Sequence, residues 1–153
     1  MPHYISAQLS LSAKPSIIVK IIPSFIVTVL MCTDCGLVVP WNNPHKDIQR
    51  KLKVNQELFL VACESDRIIA TIMAGYEGHR GWVNYLAVHP DHQGTGVGRR
   101  MMDEAENLLR AAGCPKINLQ VRSTNSGVIE FYKRIGYKVD DVVSLGKRLE
   151  PDE

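Results

Sequence analysis

Hydrophobic positions along this chain follow two rhythms, one unbroken and one helical. Residues 58–64 and 68–76 are apolar almost throughout and read as strands. The polar turn Ser65-Asp-Arg67 lies between them, so the two runs read as a hairpin. Residues 82–88 make a further strand after the turn Glu77-Gly-His-Arg-Gly81. Residues 96–112 change rhythm to apolar positions three and four apart, in strong helix formers, and stop at Gly113. Residues 116–122 read as a strand. Residues 126–135 read as a second helix, with Val128, Ile129, Tyr132 and Ile135 on one stripe. Residues 137–149 are expected to close the chain as a hairpin or strand pair.

The first part of the chain is less regular. Residues 1–14 read as a polar, poorly ordered tail, and 15–150 as a single domain. The β-branched run 16–22 is a strand candidate. A turn at 40–44 leads into a helix that starts at Asn43 or Pro44 and runs through Asp47, Ile48, Lys51 and Leu52. Between them, residues 24–35 carry strand propensity.

Composition bounds the class. The 153 residues are 45% hydrophobic and 22% charged, ordinary for one globular domain able to bury its own core. A net charge of +2, with basic residues dispersed, argues against a nucleic-acid partner. Lys20 and Pro23 interrupt the apolar run 17–31, which falls short of the roughly 20 residues a membrane helix needs. Its flanks do not suit a signal peptide. A cytoplasmic protein with no membrane association is the expectation. Cys32-Thr-Asp-Cys35 has metal or redox spacing, and His89 with His92 would complete a four-ligand set. No second Cys-x-x-Cys occurs, however, and free cysteines such as Cys63 and Cys114 are commonly buried packing residues. No metal is expected.

The chemistry concentrates in Val83-Asn-Tyr-Leu-Ala-Val-His-Pro-Asp-His-Gln-Gly-Thr-Gly-Val-Gly-Arg-Arg100. An apolar strand there meets a glycine-rich loop that opens a helix. Such a helix end presents uncovered N–H groups and a positive dipole end, and so suits phosphate oxygens. Val97-Gly98 replaces the Gly-Lys a nucleoside triphosphate loop would need, and the glycine spacing is not that of a dinucleotide fold. What does match is Gln93-Gly-Thr-Gly96-Val-Gly98, which resembles the pyrophosphate loop of the GNAT acetyltransferases. Leu119-Gln-Val-Arg-Ser-Thr-Asn125 followed by Tyr132 and Gly136-Tyr is similar to the second signature of that superfamily. Further segments, among them Cys35-Gly-Leu, Asp47-Ile-x-Arg-Lys51 and Gly113-Cys-Pro-Lys116, resemble its YpeA-like branch. The likeness spans roughly residues 32–149.

That resemblance implies an α/β fold (α+β in some schemes), with a central mixed, mostly antiparallel sheet flanked by helices. It implies a splayed strand pair at an acetyl-coenzyme A site, and a first helix over residues 24–35 against their strand propensity. It maps cofactor binding onto Leu86, Ala87, Val88, Gln93, Gly94, Thr95, Gly96, Val97, Gly98, Arg99, Asn125 and Tyr132. It implies transfer of an acetyl group to a primary amine by direct attack in a ternary complex, with Tyr132 as general acid toward the departing thiol. An unperturbed tyrosine, with a pKa near ~10, is protonated at neutral pH and able to donate. Asn125 is also a helix-capping residue type. The final strands often dimerise in this superfamily, so a homodimer is one open arrangement.

The base is less defined. Where relatives carry a glutamate, this chain has Trp82 and Gln120, neither of which takes a proton. Glu77 and His79 are the remaining candidates, with Arg80, Trp41 and Asn42 as candidate acceptor-site residues. The missing carboxylates keep one alternative in view, a non-catalytic acyl-coenzyme A binding module on the same fold. The loop does not discriminate between acyl groups, and the acceptor is open between a small molecule and a peptide amine.

Overall fold

The computed structural model describes residues Ile17–Ile21 and 43–150. The expectations for the tail, for a helix over 24–35, and for Cys32, Cys35, Trp41 and Asn42 lie outside the described residues.

Five strands form one sheet in sequence order: β1 (Ile17–Ile21), β2 (Phe59–Glu64), β3 (Arg67–Tyr76), β4 (Gly81–Val88) and β5 (Ile117–Leu119). Neighbours pair antiparallel except β4 and β5, which are parallel. A parallel step needs a crossover, and α2 (Val97–Ala111) supplies it. The other helices are α1 (Pro44–Lys51) and α3 (Ser126–Arg134).

The apolar runs of β2 and β3 are explained by cover on both faces. Leu58, Leu60, Ala62, Ile69, Ile72 and Ala74 pack with Met101, Met102, Ala105 and Leu109 of α2 and with Tyr132 of α3. On the opposite face Phe59, Val61, Cys63, Ile68 and Met73 pack with Ile48 and Leu52 of the α1 segment. α1 begins where Asn43 accepts a hydrogen bond from the Lys46 N–H and Pro44 takes the first turn.

Gly81 occupies a position where any larger residue would force its neighbours to shift. A Cβ there would stand 2.7 Å from Cys114 Sγ and 3.3 Å from both Ile117 and Leu109 side-chain carbons. The glycine thereby lets β5 and the end of α2 close against the start of β4.

The expected strand pair over 137–149 is a correction: the described residues from 137 to 150 hold no strand. Val139, Val142, Val143, Leu145 and Leu149 are 76–91% exposed. Their β propensity has nothing to act on, because strand preference is realised only through packing against a neighbour. Side-chain hydrogen bonds tie this segment to the residues flanking β5, Lys116 to Asp140 and Gln120 to Ser144, each at 2.5 Å. The strand expected over 116–122 is likewise shorter, ending at Leu119.

Candidate active site

The site begins with a fault in β4. Thr71 pairs with Ala87 and Met73 with Asn84, so Tyr85 and Leu86 together face Ile72 alone. This is a β-bulge, with Tyr85 at φ 51. The Thr71 hydroxyl donates to the Tyr85 carbonyl oxygen at 3.2 Å and holds the bulge in place.

On its other edge β4 pairs with β5 only from Gly81 to Val83. Beyond that point the strands separate, and a cavity of about 570 Å³ opens between them. Leu86 lines it from β4 and Gln120 from beyond β5. Asn125 and Tyr132 line it from α3 and the residue before it. Of the other strand positions singled out in the sequence, Ala87 is buried in the core. The Val88 carbonyl accepts from Gln93 Nε2 at 3.0 Å, tying the strand to the loop that follows.

That loop turns sharply into α2. Gly94 and Gly96 have φ of 73 and 89, and Gly96 is the cap residue of the helix. A side chain at this conformation is strained, which is what glycine avoids. Cβ atoms at both positions would meet nothing within 4 Å, so the loop borders open space. No side chain caps this helix end. Its backbone bonding begins with the Arg100 N–H donating to the Gly96 carbonyl at 3.1 Å, which leaves a row of N–H groups ahead of it. Thr95 Oγ1 donates to the His92 carbonyl, Val97 is buried under the helix, and Arg99 lies outward beside Asp103. The donor set of loop N–H groups and a helix dipole suits a diphosphate.

Asn125 caps α3 by accepting from the Val128 N–H at 3.3 Å. Seven residues on, the Tyr132 ring is 9% exposed and sits edge-on to Phe131 and Tyr137. Burial pushes its pKa up to about 12, so it holds its proton throughout the neutral range.

A second, larger cavity of about 1250 Å³ lies on the α1 face. The two cavities share Asn84 and Tyr85 as a common wall. Asp47, Arg50 and Lys51 of α1 line the larger one. Glu77 lines it too, while its carboxylate accepts from the Arg80 N–H at 2.6 Å. His79 and Arg80 line neither cavity, so of the two candidate bases the structure brings in only Glu77. Trp82 borders the larger cavity and Gln120 the smaller, and neither brings a carboxylate.

Sequence reading missed the Tyr85 phenol, which donates to Asp47 Oδ2, and Lys51, whose ammonium donates to the Ala74 carbonyl. A tyrosine inside an apolar run carries no local sign of a positive φ, so the residues alone do not place the bulge at Tyr85. Among the described residues no cluster of three or more His, Cys, Asp or Glu is placed to hold a metal ion, and no helix is long and apolar enough to cross a membrane.

The chain is similar to known proteins in sequence and in fold. Residues 29–137 match the acetyltransferase (GNAT) family. An acetyltransferase of Yersinia enterocolitica is 46% identical over 125 residues, covering 82% of this chain and 89% of the relative. One from Sodalis glossinidius is 48% identical over 120 residues, covering 78% and 84%. The fold is similar to that of the PaiA N-acetyltransferase from Thermoplasma acidophilum, solved in complex with coenzyme A. There the TM-score is 0.74 at 19% identity, over 84% of this chain and 93% of that one. A parallel strand pair that parts beside a glycine-capped helix is thus joined to a sequence likeness over most of the chain, and the protein belongs to the GNAT family of acetyltransferases.

Proposed function

We propose that this enzyme transfers an acetyl group from acetyl-coenzyme A to a primary amine, with both substrates held at once. The observation that carries the reading is the wall shared by the two cavities. An acyl donor in the β4–β5 gap and an amine in the α1-side cavity would meet at Asn84 and Tyr85.

In this reading the backbone N–H groups of Gly94, Thr95, Gly96, Val97, Gly98 and Arg99 hold the diphosphate at the start of α2, and Gln93, whose own N–H donates to the Pro90 carbonyl, fixes the loop to Val88 through its side chain. The backbone of Leu86, Ala87 and Val88, with the Asn125 amide opposite, orients the pantetheine arm. Acetyl-coenzyme A supplies the activated acyl group, whose thioester bond breaks as the new amide bond forms. N–H groups of the splayed strand stabilise the oxyanion, and such preorganised donors supply a large part of acyl-transfer catalysis. Tyr132 donates its phenolic proton to the leaving sulfur. Glu77, exposed at the mouth of the larger cavity, takes the amine proton through water. Positioning of two bound reactants accounts for much of the remaining acceleration.

The same reading places the enzyme in the cytoplasm, where the free thiols of Cys63 and Cys114 stay reduced. It also allows two copies to pair through the exposed apolar segment after α3.

Thermal unfolding with and without acetyl-coenzyme A tests it. At a ligand concentration of ~100 Kd, linkage gives about 2.7 kcal/mol of stabilisation, a rise of roughly 5–10 °C. Amine-dependent release of free thiol then follows the transfer itself. No thermal shift up to millimolar ligand overturns the assignment, and a shift with no thiol release against a broad amine panel favours a binding module instead.

A further inference from the structure

We propose that Lys51 selects the acceptor, so that the preferred substrates are amines carrying an anionic group, carboxylate or phosphate, a few bonds from the nitrogen. This rests on the acetyl-transfer reading above.

The Lys51 ammonium is half-buried on the wall of the α1-side cavity and donates to the Ala74 carbonyl oxygen. An ammonium has three N–H donors. Among the described residues that carbonyl is its one hydrogen-bond partner, and its charge is felt by Glu57 from beyond ion-pair distance. Burial outweighs the Glu57 attraction and lowers the Lys51 pKa. Among the described residues no carboxylate lies within ion-pair distance of this partly desolvated cation, and an incoming anion relieves the cost of leaving it so.

A lysine at the end of a helix also complements the helix dipole. An ammonium left in water would do that equally well. This one instead reaches β3, where it donates to the Ala74 carbonyl beside Gly75.

The cavity offers an anion little competition. Asp47 is already held by Arg50 at 3.0 Å and by Tyr85, and Glu77 by the Arg80 N–H. Four basic side chains and three acidic ones line the space. The geometry also fixes how far the anionic group lies from the reacting nitrogen. Met73 pairs with Asn84 at the common wall, and Gly75 is the next position of β3 on the same face, about 7 Å along the strand. A ligand whose amine and acid groups lie a few bonds apart spans that distance once a hydrogen bond is added at each end.

Matched substrate pairs test the proposal. Amino acids are compared with their amides, and O-phosphoethanolamine with ethanolamine; the readout is the ratio of kcat/KM within each pair. The first pair reports on carboxylate and the second on phosphate. Wild-type enzyme is expected to favour the anionic member in at least one pair. Lys51→Met should lower that ratio about tenfold or more, the range of a hydrogen bond to a charged group. Lys51→Arg should restore part of it and Lys51→Glu should invert it. An acetyl-coenzyme A thermal shift in each variant checks that the cofactor side is intact. Equal use of both members by wild-type enzyme, or a ratio that Lys51→Met leaves unchanged, overturns the selection while leaving acetyl transfer standing. If no member is acetylated, calorimetric binding of the same pairs to coenzyme A-loaded protein replaces the rate ratio: tighter binding of the anionic member supports the selection, and equal binding overturns it. Absence of the cofactor shift in wild type removes both readings together.

Discussion

The Tyr85 phenol donates a 2.5 Å hydrogen bond to the Asp47 carboxylate, joining the bulge of β4 to the first turn of α1. Tyr85 has a positive φ, a conformation that costs a bulky residue of order 1–3 kcal/mol unless its surroundings impose it. Here the Thr71 hydroxyl holds its carbonyl and Asp47 its phenol, while Arg50 binds the other carboxylate oxygen. The bond thus fixes the wall between the two cavities.

Tyr85→Phe keeps the ring and removes the bond. Its net loss is expected to be about 1.5–3 kcal/mol, as for a hydrogen bond to a charged group, lowering Tm by roughly 3–12 °C. Thermal unfolding of the two proteins at pH 7 reads it. An unchanged Tm would mean that the phenol does not hold the bulge to α1.

Tyr132→Phe should reduce kcat by about 10²–10⁴, the range for a lost general acid, with little change in cofactor affinity. Steady-state rates beside a binding isotherm separate the two. Wild-type activity should not fall near pH 10 through this residue, since burial holds its pKa near 12. The same shift has a sign for stability. A folded pKa above the unfolded ~10 means that the stabilisation is complete below pH ~10 and is lost as pH climbs toward 12. Tyr137, pushed upward by burial and by its hydrogen bond to Glu106, adds in the same direction. Alkaline melting curves should therefore fall less steeply for Tyr132→Phe than for wild type.

Gly96 separates backbone strain from charge. Gly96→Ala and Gly96→Glu suffer the same positive φ, and neither Cβ meets a protein atom. Both should lower Tm. If the diphosphate lies here, Gly96→Glu should weaken acetyl-coenzyme A at least tenfold more than Gly96→Ala, as a carboxylate displaces phosphate charge. Equal affinities would put the diphosphate elsewhere.

Gly81→Ala places a methyl 2.7 Å from Cys114 Sγ. Overpacking of this kind costs about 1–3 kcal/mol. Combining it with Cys114→Ala should recover part of the loss, because the sulfur is the nearest obstacle. Denaturant unfolding of the single and double variants measures the coupling, and strictly additive losses would refute the contact.

Local signals were legible wherever they were dense. The capped start of α1, the β2–β3 hairpin, the glycine entry to α2 and the Asn125 cap of α3 all lie within two residues of where the sequence places them. Each depends on neighbours a few residues apart. The segment after α3 misled for the opposite reason: Val139, Val142 and Val143 have strand character, but a strand exists only beside a partner, and side-chain ties to the residues flanking β5 do not make a ladder.

The glycine entry to α2 and the placing of Tyr132 seven residues into the helix that Asn125 caps were determined by the chain alone, since local backbone preference and helix spacing convert directly into position. Tertiary structure decided that β4 bulges at Tyr85 and parts from β5 after Val83. It also decided that Asp47, remote in sequence from the loop, reaches the wall between the two cavities and that Lys51 lines the larger one. Those relationships join residues 14 to 38 positions apart. No local preference encodes them, because they arise only when α1 and the sheet exclude water from a common face.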